Sequence, residues 1–386
     1  MKTGLDAKRI FFNHSGLGNY GRRFYRALAT KLTEEEFFLY SPREVPSGNP
    51  YLGEIVGRNS RIVHPSGFFG SKMGGSIWRS AILADQLEKD RIDIYYGLSN
   101  EVPFGIHQKR MVRVVIIHDL IFIRYPKLYP ATDVFFYRKK TAYACRNCDL
   151  IITASEQTKN DIINFYGINA RKIHVIYPAS DPQFYTGEPP DSSEFFDPRR
   201  KYILSIGAIT PRKNLMKTVE AFHTVCERLN YDLAVIGTAV GLGRKYLKTI
   251  KEYIEKNSLG DRIHFLGNVP YGFVPDICRK AEMMVYPSQF EGFGMPIVEG
   301  LFSRIPVITS GGGCFPEAGG DAAVYIDPEN PGEIADWITR LAGDRELRDE
   351  LIRKGEKHAE RFTQERISAD ILEFHLSATG HSFRNS

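Results

Sequence analysis

Cysteine is scarce here and has no regular spacing. The chain of 386 residues carries 5, at Cys145, Cys148, Cys226, Cys278 and Cys314. An odd number at irregular intervals argues against a disulfide framework and for a reduced compartment. Cys145 and Cys148 form a CxxC, but no second Cys or His pair stands at metal-ligand spacing. The segment reads as helix, so the pair is taken as structural and no metal is expected. No run of about 18 apolar residues occurs, which excludes a membrane-spanning helix. The opening stretch, MKTGLDAKRIFFNHSG, lacks the apolar core of a signal peptide, and a cytoplasmic protein is expected. Net charge is also small, with 51 Lys and Arg against 46 Asp and Glu, or +5. Such a balance permits an anionic ligand or an anionic membrane surface and gives no reason to expect nucleic acid. What the chain does have is aromatic mass, 20 Tyr and 25 Phe, within an ordinary 42% hydrophobic content. Carbohydrate sites use aromatic rings, and so do plain cores.

Strand and helix patterns alternate through the first half. Arg9–Asn13 reads as a first strand ending in HSGLGNYG, where Gly16 and Gly18 lead into a helical pattern from Tyr20 to Leu32. Further strands are expected at Phe37–Tyr40, Arg61–His64, Asp93–Tyr96, Val112–His118, Leu150–Ala154 and Ile173–Tyr177. A helix between Ser76 and Lys89 would place Ile77, Leu83 and Leu87 on one face. This alternation predicts a mostly parallel sheet covered on both sides. The stretch Tyr177–Arg200 is rich in proline and without periodicity, the signature of a linker. A second alternation follows, with strands at Tyr202–Ile206, Asp232–Ile236, Ile263–Leu266, Met283–Tyr286, Val307–Thr309 and Ala323–Ile326. The expected division is residues 1–182, a linker at 183–200, a second domain at 201–362, and a last helix at 363–378 crossing back to the first domain. From Ser377 onward the chain reads as a frayed polar tail.

The densest chemistry lies in the stretch from Val285 to Pro328. A Gly-rich loop, EGFGMP, joins an apolar strand to a short helix and carries Glu291, with Glu299 following after seven intervening residues. In an α/β sheet, ligands bind where loops leave the carboxyl ends of strands. The backbone amides of Phe293, Gly294 and Met295 can donate to hydroxyls or phosphate, and Pro296 suits a first helical turn. Glu299 can accept two neighbouring hydroxyls, as on a ribose, or is simply an acid near a helix start. Glu291 can contact a sugar, or cap local amides. Arg212 and Lys213 follow another strand in GAITPRKN, just before a helix. Cations there oppose the usual preference for acids in a first turn, and they suit a bound phosphate. In the first half, His118 ends a strand and can bond a ligand hydroxyl or relay a proton, or serve a structural role. Glu317, after GGGCFP, is a further candidate.

These elements resemble family 4 of the retaining glycosyltransferases. EGFGMPIVE is similar to the family's paired-Glu element, and GAITPRKNLMKTVEAF to its strand–PRKN–helix element. HDLIFIRYPKLYP resembles its His loop, GLGNYGRRFYRAL its N-terminal Gly loop, and GGGCFPEAGGDAAVYIDP its last sheet segment. Five elements in family order are far more specific than any one. The resemblance implies the GT-B architecture, an α/β fold of two Rossmann-like domains facing each other across a cleft. It implies a nucleotide-sugar donor, retention at the anomeric carbon, and neither metal nor other cofactor. Lys213 and Arg212 would bind the donor diphosphate, Glu299 the ribose, and Glu291 with the amides of Phe293–Met295 the sugar. His118 would touch the sugar near the reacting centre, making it, Glu291 and Lys213 the expected catalytic groups. Gly16 and Gly18 would border the diphosphate and acceptor. Ala208 stands where many members carry Arg, so Arg212 would substitute.

The first donor expectation is GDP-mannose, for a mannosyltransferase of cell-surface polysaccharide synthesis. The alternatives are a UDP-sugar donor or a non-catalytic nucleotide-sugar-binding protein. The acceptor would be a glycan or a lipid-linked glycan. HPSGFFGSKMGGSIWRS and VFFYRKKTAYACR mix aromatics with cations and can lie on the inner face of a membrane, or be core aromatics beside solvated cations.

Overall fold

Two parallel sheets organise the chain. The computed structural model describes residues 1–382 apart from Ser15, Arg58, Asp197, Arg199 and Leu242, and describes only the backbone of Glu54, His381 and Ser382. One unit comprises Met1–Ala179 and the chain from Gln364, and the other comprises Ser180–Thr363.

The first unit is built on β1 (Lys2–Asp6), β2 (Glu36–Tyr40), β3 (Ser60–Val63), β4 (Ile94–Gly97), β5 (Val112–Ile117), β6 (Leu150–Thr153) and β7 (Ile173–Val175). The order is β3-β2-β1-β4-β5-β6-β7, with parallel pairing throughout. The central strands β1, β4 and β5 are nearly all buried, and β4 and β5 read IYY and VVII because both faces are covered. Strand order reverses between β1 and β4, so the carboxyl ends of these two strands open a crevice.

The first strand corrects the sequence reading. Arg9–Asn13 is not a strand, because Lys8–Phe12 is a short helix that buries Ile10 and Phe11. The strand is instead KTGLD, whose short alternating pattern hid a fully covered element. Gly16 already lies in the following helix, Gly16–Ala29. A Cβ on Gly18 would sit 1.9 Å from the Asn13 carbonyl oxygen, so only glycine allows this helix start to close against the preceding turn. The helix expected over Ser76–Lys89 is also modified. A π-helical turn at Trp78–Ile82 separates Lys72–Ile77 from Leu83–Lys89. The wider turn shifts the buried face, so Leu83 and Leu87 are buried while Ile77 is exposed.

The last helix, Gln364–Ser382, belongs to the first unit and packs Ile367, Ile371, Phe374 and Ala378 into its core. Its His375 is fully buried and bonds to Tyr96 at 2.9 Å and Glu35 at 3.3 Å. The expected frayed tail from Ser377 is therefore helical as far as Ser382. Burial of Ala378 and Thr379 holds it there.

The second unit is built on β8 (Tyr202–Ile206), β9 (Asp232–Ile236), β10 (Ile263–Gly267), β11 (Met283–Tyr286), β12 (Val307–Ser310) and β13 (Ala323–Ile326). All pairs are parallel, in the order β10-β9-β8-β11-β12-β13, and the reversal falls between β8 and β11. The proline-rich stretch ahead of β8 packs onto this unit. Phe184 is fully buried, and the Arg279 guanidinium donates to the carbonyls of Phe184 and Gly187. Ser192 donates through both its amide and its hydroxyl to Asp276.

Candidate active site

In the second unit the strand-order reversal brings together the loops that leave β8 and β11. The β8 loop enters a single 3-10 turn at Pro211–Lys213 and then Asn214, left-handed at φ 58°, which starts the helix Leu215–Leu229. Asn214 is held by its side-chain amide, which donates to Pro328 O at 2.6 Å. This aims Arg212 and Lys213 across the crevice toward the β11 loop. There Gly294, at φ 112°, turns the chain into the helix Met295–Phe302. A side chain at that φ would be strained, and its Cβ would press on Ile297 at 3.1 Å.

The two loops meet at one carboxylate. Glu291 Oε1 lies 2.6 Å from Arg212 Nη1 and 2.6 Å from Lys213 Nζ. It also accepts from the Ser288 hydroxyl at 2.6 Å. The Lys213 ammonium donates to the Tyr286 hydroxyl, and Arg212 donates to the Phe290 carbonyl. Burial alone would raise the Glu291 carboxyl, but Lys213 and Arg212 overcome it and hold it at about 2. Burial lowers Lys213, with the Glu291 charge opposing the shift. Two cations against one carboxylate leave a surplus positive charge, largely shielded from water, at the carboxyl ends of the strands. Beside it the Thr210 hydroxyl is buried with no hydrogen-bond partner. Such a cluster can receive a diphosphate.

The two acids read from the sequence thus have different partners. Glu291 sits in the ion cluster, which sequence spacing did not reveal because Arg212 and Lys213 are about eighty positions away. Glu299 is 7% exposed, and its carboxylate accepts from the Tyr271 hydroxyl at 2.7 Å. Tyr271 follows β10 and was missed in the sequence; no local motif marks it. Glu317 lies in the first turn of the short helix Phe315–Gly319, and its carbonyl bonds His358 at 3.1 Å. Ala208 is exposed, next to Gly207 at the end of β8.

In the first unit a cavity of about 370 Å³ lies at the corresponding reversal. His118, immediately after β5, lines it, as does Leu17 between Gly16 and Gly18. The structure therefore brings the Gly loop and His118 to one place. The His118 ring meets the Tyr20 ring edge-on at 4.8 Å between centroids. Its Nε2 lies 2.9 Å from the Leu98 carbonyl, which can only accept, so Nε2 carries the proton. Nδ1 of the neutral ring is then an acceptor. Burial, helped by the Arg9 charge and resisted by the Leu98 bond, lowers this imidazole to about 4. Cys145 and Cys148 are buried free thiols, with burial raising both. No group of His, Cys, Asp and Glu able to hold a metal occurs among the described residues. No helix among them is long and apolar enough to cross a membrane.

Residues 14–184 match the model of Glycosyltransferase Family 4, and residues 191–358 match that of Glycosyl transferases group 1. The chain belongs to the glycosyltransferases of this family, with the GT-B fold. The O-antigen chain mannosyltransferase B of Escherichia coli is 26% identical over 286 residues, covering 72% of this chain and 73% of that protein. The O-antigen chain mannosyltransferase RfbU of Salmonella typhimurium is 26% identical over 268 residues, covering 68% and 70%. Among solved structures, Anabaena HepE in complex with UDP and glucose is similar at TM-score 0.74 and 17% identity, over 97% of this chain and 99% of that one. Sucrose-phosphate synthase from Thermosynechococcus elongatus is similar at TM-score 0.78 and 16% identity, over 99% and 100%.

Proposed function

We propose that this glycosyltransferase moves a hexose, in the first instance mannose from GDP-mannose, onto a glycan or lipid-linked acceptor, with retention at the anomeric carbon. The observation that carries the reading is the Arg212–Glu291–Lys213 cluster at the β8/β11 crevice. Its surplus positive charge fits the leaving diphosphate, and Glu299, held by Tyr271, fits a ribose. The amides of Phe293, Gly294 and Met295 border the same loop and suit the donor sugar. Mannose is favoured because two of the relatives are named mannosyltransferases.

On this reading the acceptor oxygen forms a bond to the anomeric carbon as that carbon's bond to the diphosphate oxygen breaks. The acceptor's proton passes to the departing diphosphate on the same face. Arg212 and Lys213 stabilise the negative charge that develops there. Glu291 keeps the two cations in place and, once they turn to phosphate, faces the developing positive charge on the sugar. His118 Nδ1 accepts a hydrogen bond from a sugar hydroxyl and takes no proton, because its basicity is too low. No cofactor is called for, since the charge opposite the diphosphate comes from the protein. On this reading Glu291 serves the sugar and Glu299 the ribose, so no double displacement through either acid is invoked.

A UDP-sugar donor is the second reading, favoured by the likeness to a fold solved with UDP. Measuring donor hydrolysis with GDP-mannose, UDP-glucose and UDP-N-acetylglucosamine decides between them. Faster turnover of either UDP-sugar would overturn the mannose reading. A purely binding protein would bind nucleotide and never turn any donor over. The exposed Phe68, Met73, Phe135 and Phe136 on the first unit, beside Lys72, Arg138 and Lys139, fit peripheral contact with an anionic membrane.

A further inference from the structure

The 370 Å³ cavity of the first unit holds more positive charge than its own acids neutralise. Lys8, Arg9, Arg79 and Lys140 line it together with Glu101 and Asp119. Arg79 is committed to Asp6 at 2.6 Å and Glu101 at 2.6 Å, and Lys140 to Glu101 at 2.9 Å. Asp119 accepts from the Ile121 amide at 3.0 Å, closing its own loop. Lys8 and Arg9 form no ion pair among the described residues.

Unsatisfied polar atoms gather at the same place. Arg9 Nε, Ser99 Oγ and Tyr20 Oη are buried without a hydrogen-bond partner. Arg9 and Ser99 line the cavity, and Tyr20 packs against His118, which also lines it. Native proteins leave few such atoms, and a cluster of them marks a place where a ligand or water completes the bonding. Two cations outside any ion pair, with the unsatisfied Ser99 hydroxyl beside them, call for an anion whose oxygens accept from all three. Tyr129, Phe136 and Tyr137 also line the cavity and are available to a sugar face or a hydrocarbon chain.

We propose that this cavity is an acceptor site that reads a phosphate on the acceptor through Lys8 and Arg9. The phosphate would be carried on a sugar ring or on a lipid. This deepens the glycosyltransferase reading and rests on it for the word acceptor. Burial and the neighbouring Arg79 already lower the Lys8 ammonium, a cost that an arriving anion relieves.

Isothermal titration of the full chain tests this, in a background carrying Arg212→Ala and Lys213→Ala to remove the cations of the second unit. The probes are glucose 6-phosphate, decyl phosphate and the neutral methyl glucoside. Both phosphates are expected to bind in this background, and adding Lys8→Gln should weaken them at least tenfold while methyl glucoside changes less than threefold. The tighter of the two phosphates names the source, sugar or lipid. Absence of phosphate binding in the background, or equal binding with and without Lys8→Gln, overturns the proposal. So does a loss of GDP and UDP affinity in Lys8→Gln as large as the loss for the probes, since the cation would then serve the donor. Should the background fail to fold by circular dichroism, Lys8→Gln and Ser99→Ala are compared with the unmodified chain by the same titrations. Donor hydrolysis is a separate measurement: its absence sinks the enzyme reading and leaves phosphate binding to be judged alone.

Discussion

The Glu291 carboxylate and the Lys213 ammonium stand 2.6 Å apart although they leave different strands, β11 and β8. The cluster is buried, so removing Glu291 leaves two cations without compensation, whereas removing Lys213 leaves the carboxylate with Arg212. Glu291→Gln strands two cations and is expected to lower unfolding free energy by about 3–5 kcal/mol. Lys213→Ala leaves Arg212 to hold the carboxylate and should cost less. The double variant should fall short of the sum, with a coupling on the order of 1–3 kcal/mol in urea titrations. Strict additivity would mean that the ion pair does not form. In turnover, Lys213→Ala should lower kcat by roughly 100-fold to 1000-fold, the loss typical of a charge aimed at a leaving group.

The state of His118 sets a distinct expectation for pH. Its Nε2 proton is fixed on the Leu98 carbonyl, and burial holds the ring neutral down to about pH 4. Between pH 5 and 8 the profile of kcat/KM should therefore show no inflection that belongs to His118. His118→Ala should lower kcat/KM by about tenfold at every pH in that range, since it removes a hydrogen-bond acceptor and not a titrating base. An inflection between pH 6 and 7 that disappears in His118→Ala would contradict this.

Acid stability follows from two carboxylates, one in each unit. Burial would raise Glu101 as it would Glu291, but Arg79 and Lys140 overcome it and hold Glu101 at about 2. Both folded-state values lie below the ordinary carboxyl range, so their contribution is fully present above about pH 4.5 and is lost as pH falls toward 2. His118 acts in a higher window. Its folded-state value is also depressed, so the unfolded chain takes up its proton first and stability falls between pH 6.5 and 4. Thermal unfolding followed from pH 7 to pH 3 should thus decline in two stages. In Glu101→Gln the lower stage should shrink.

The legible and illegible parts of the chain divide along physical lines. Strands such as Val112–Ile117 and Val307–Ser310 were readable because coverage on both faces makes them continuous apolar runs. The strand Lys2–Asp6 was not, since its Lys2, Thr3 and Asp6 are satisfied by partners distant in sequence, as when Thr3 donates to Glu35. Lys8–Phe12, apolar and short, mimicked it. Of the candidate residues, Arg212, Lys213 and Glu291 in the second unit and His118 in the first each stood out as a cation, acid or imidazole at a strand exit. What remained hidden was pairing: that Glu291 holds both cations, and that Tyr271 holds Glu299. Register between strands far apart in sequence decides such contacts, and no spacing within one motif encodes it. The charged network of Asp6, Arg79, Glu101 and Lys140 went unnoticed for the same reason.

The exposed aromatic face of the first unit leads to a last prediction. In the helix Ala131–Asn147, Phe135 and Phe136 are 57% and 58% exposed, and Arg138 and Lys139 beside them are exposed too. Phe68 and Met73 are 61% and 68% exposed around the helix Lys72–Ile77. Ser76 of that helix and Phe136 line the same cavity, so the two apolar patches border one opening. A surface of rings flanked by cations gains from inserting apolar area between lipids and from attraction to anionic headgroups. Co-sedimentation with vesicles containing phosphatidylglycerol should therefore show binding that weakens as salt is raised from 50 to about 500 mM. Vesicles of phosphatidylcholine alone should bind far less. The variant Phe135→Ser/Phe136→Ser should reduce binding severalfold while changing stability by no more than about 0.5 kcal/mol per site, because both rings are largely in water already. Equal recovery with and without anionic vesicles at low salt would show that these rings serve some other contact.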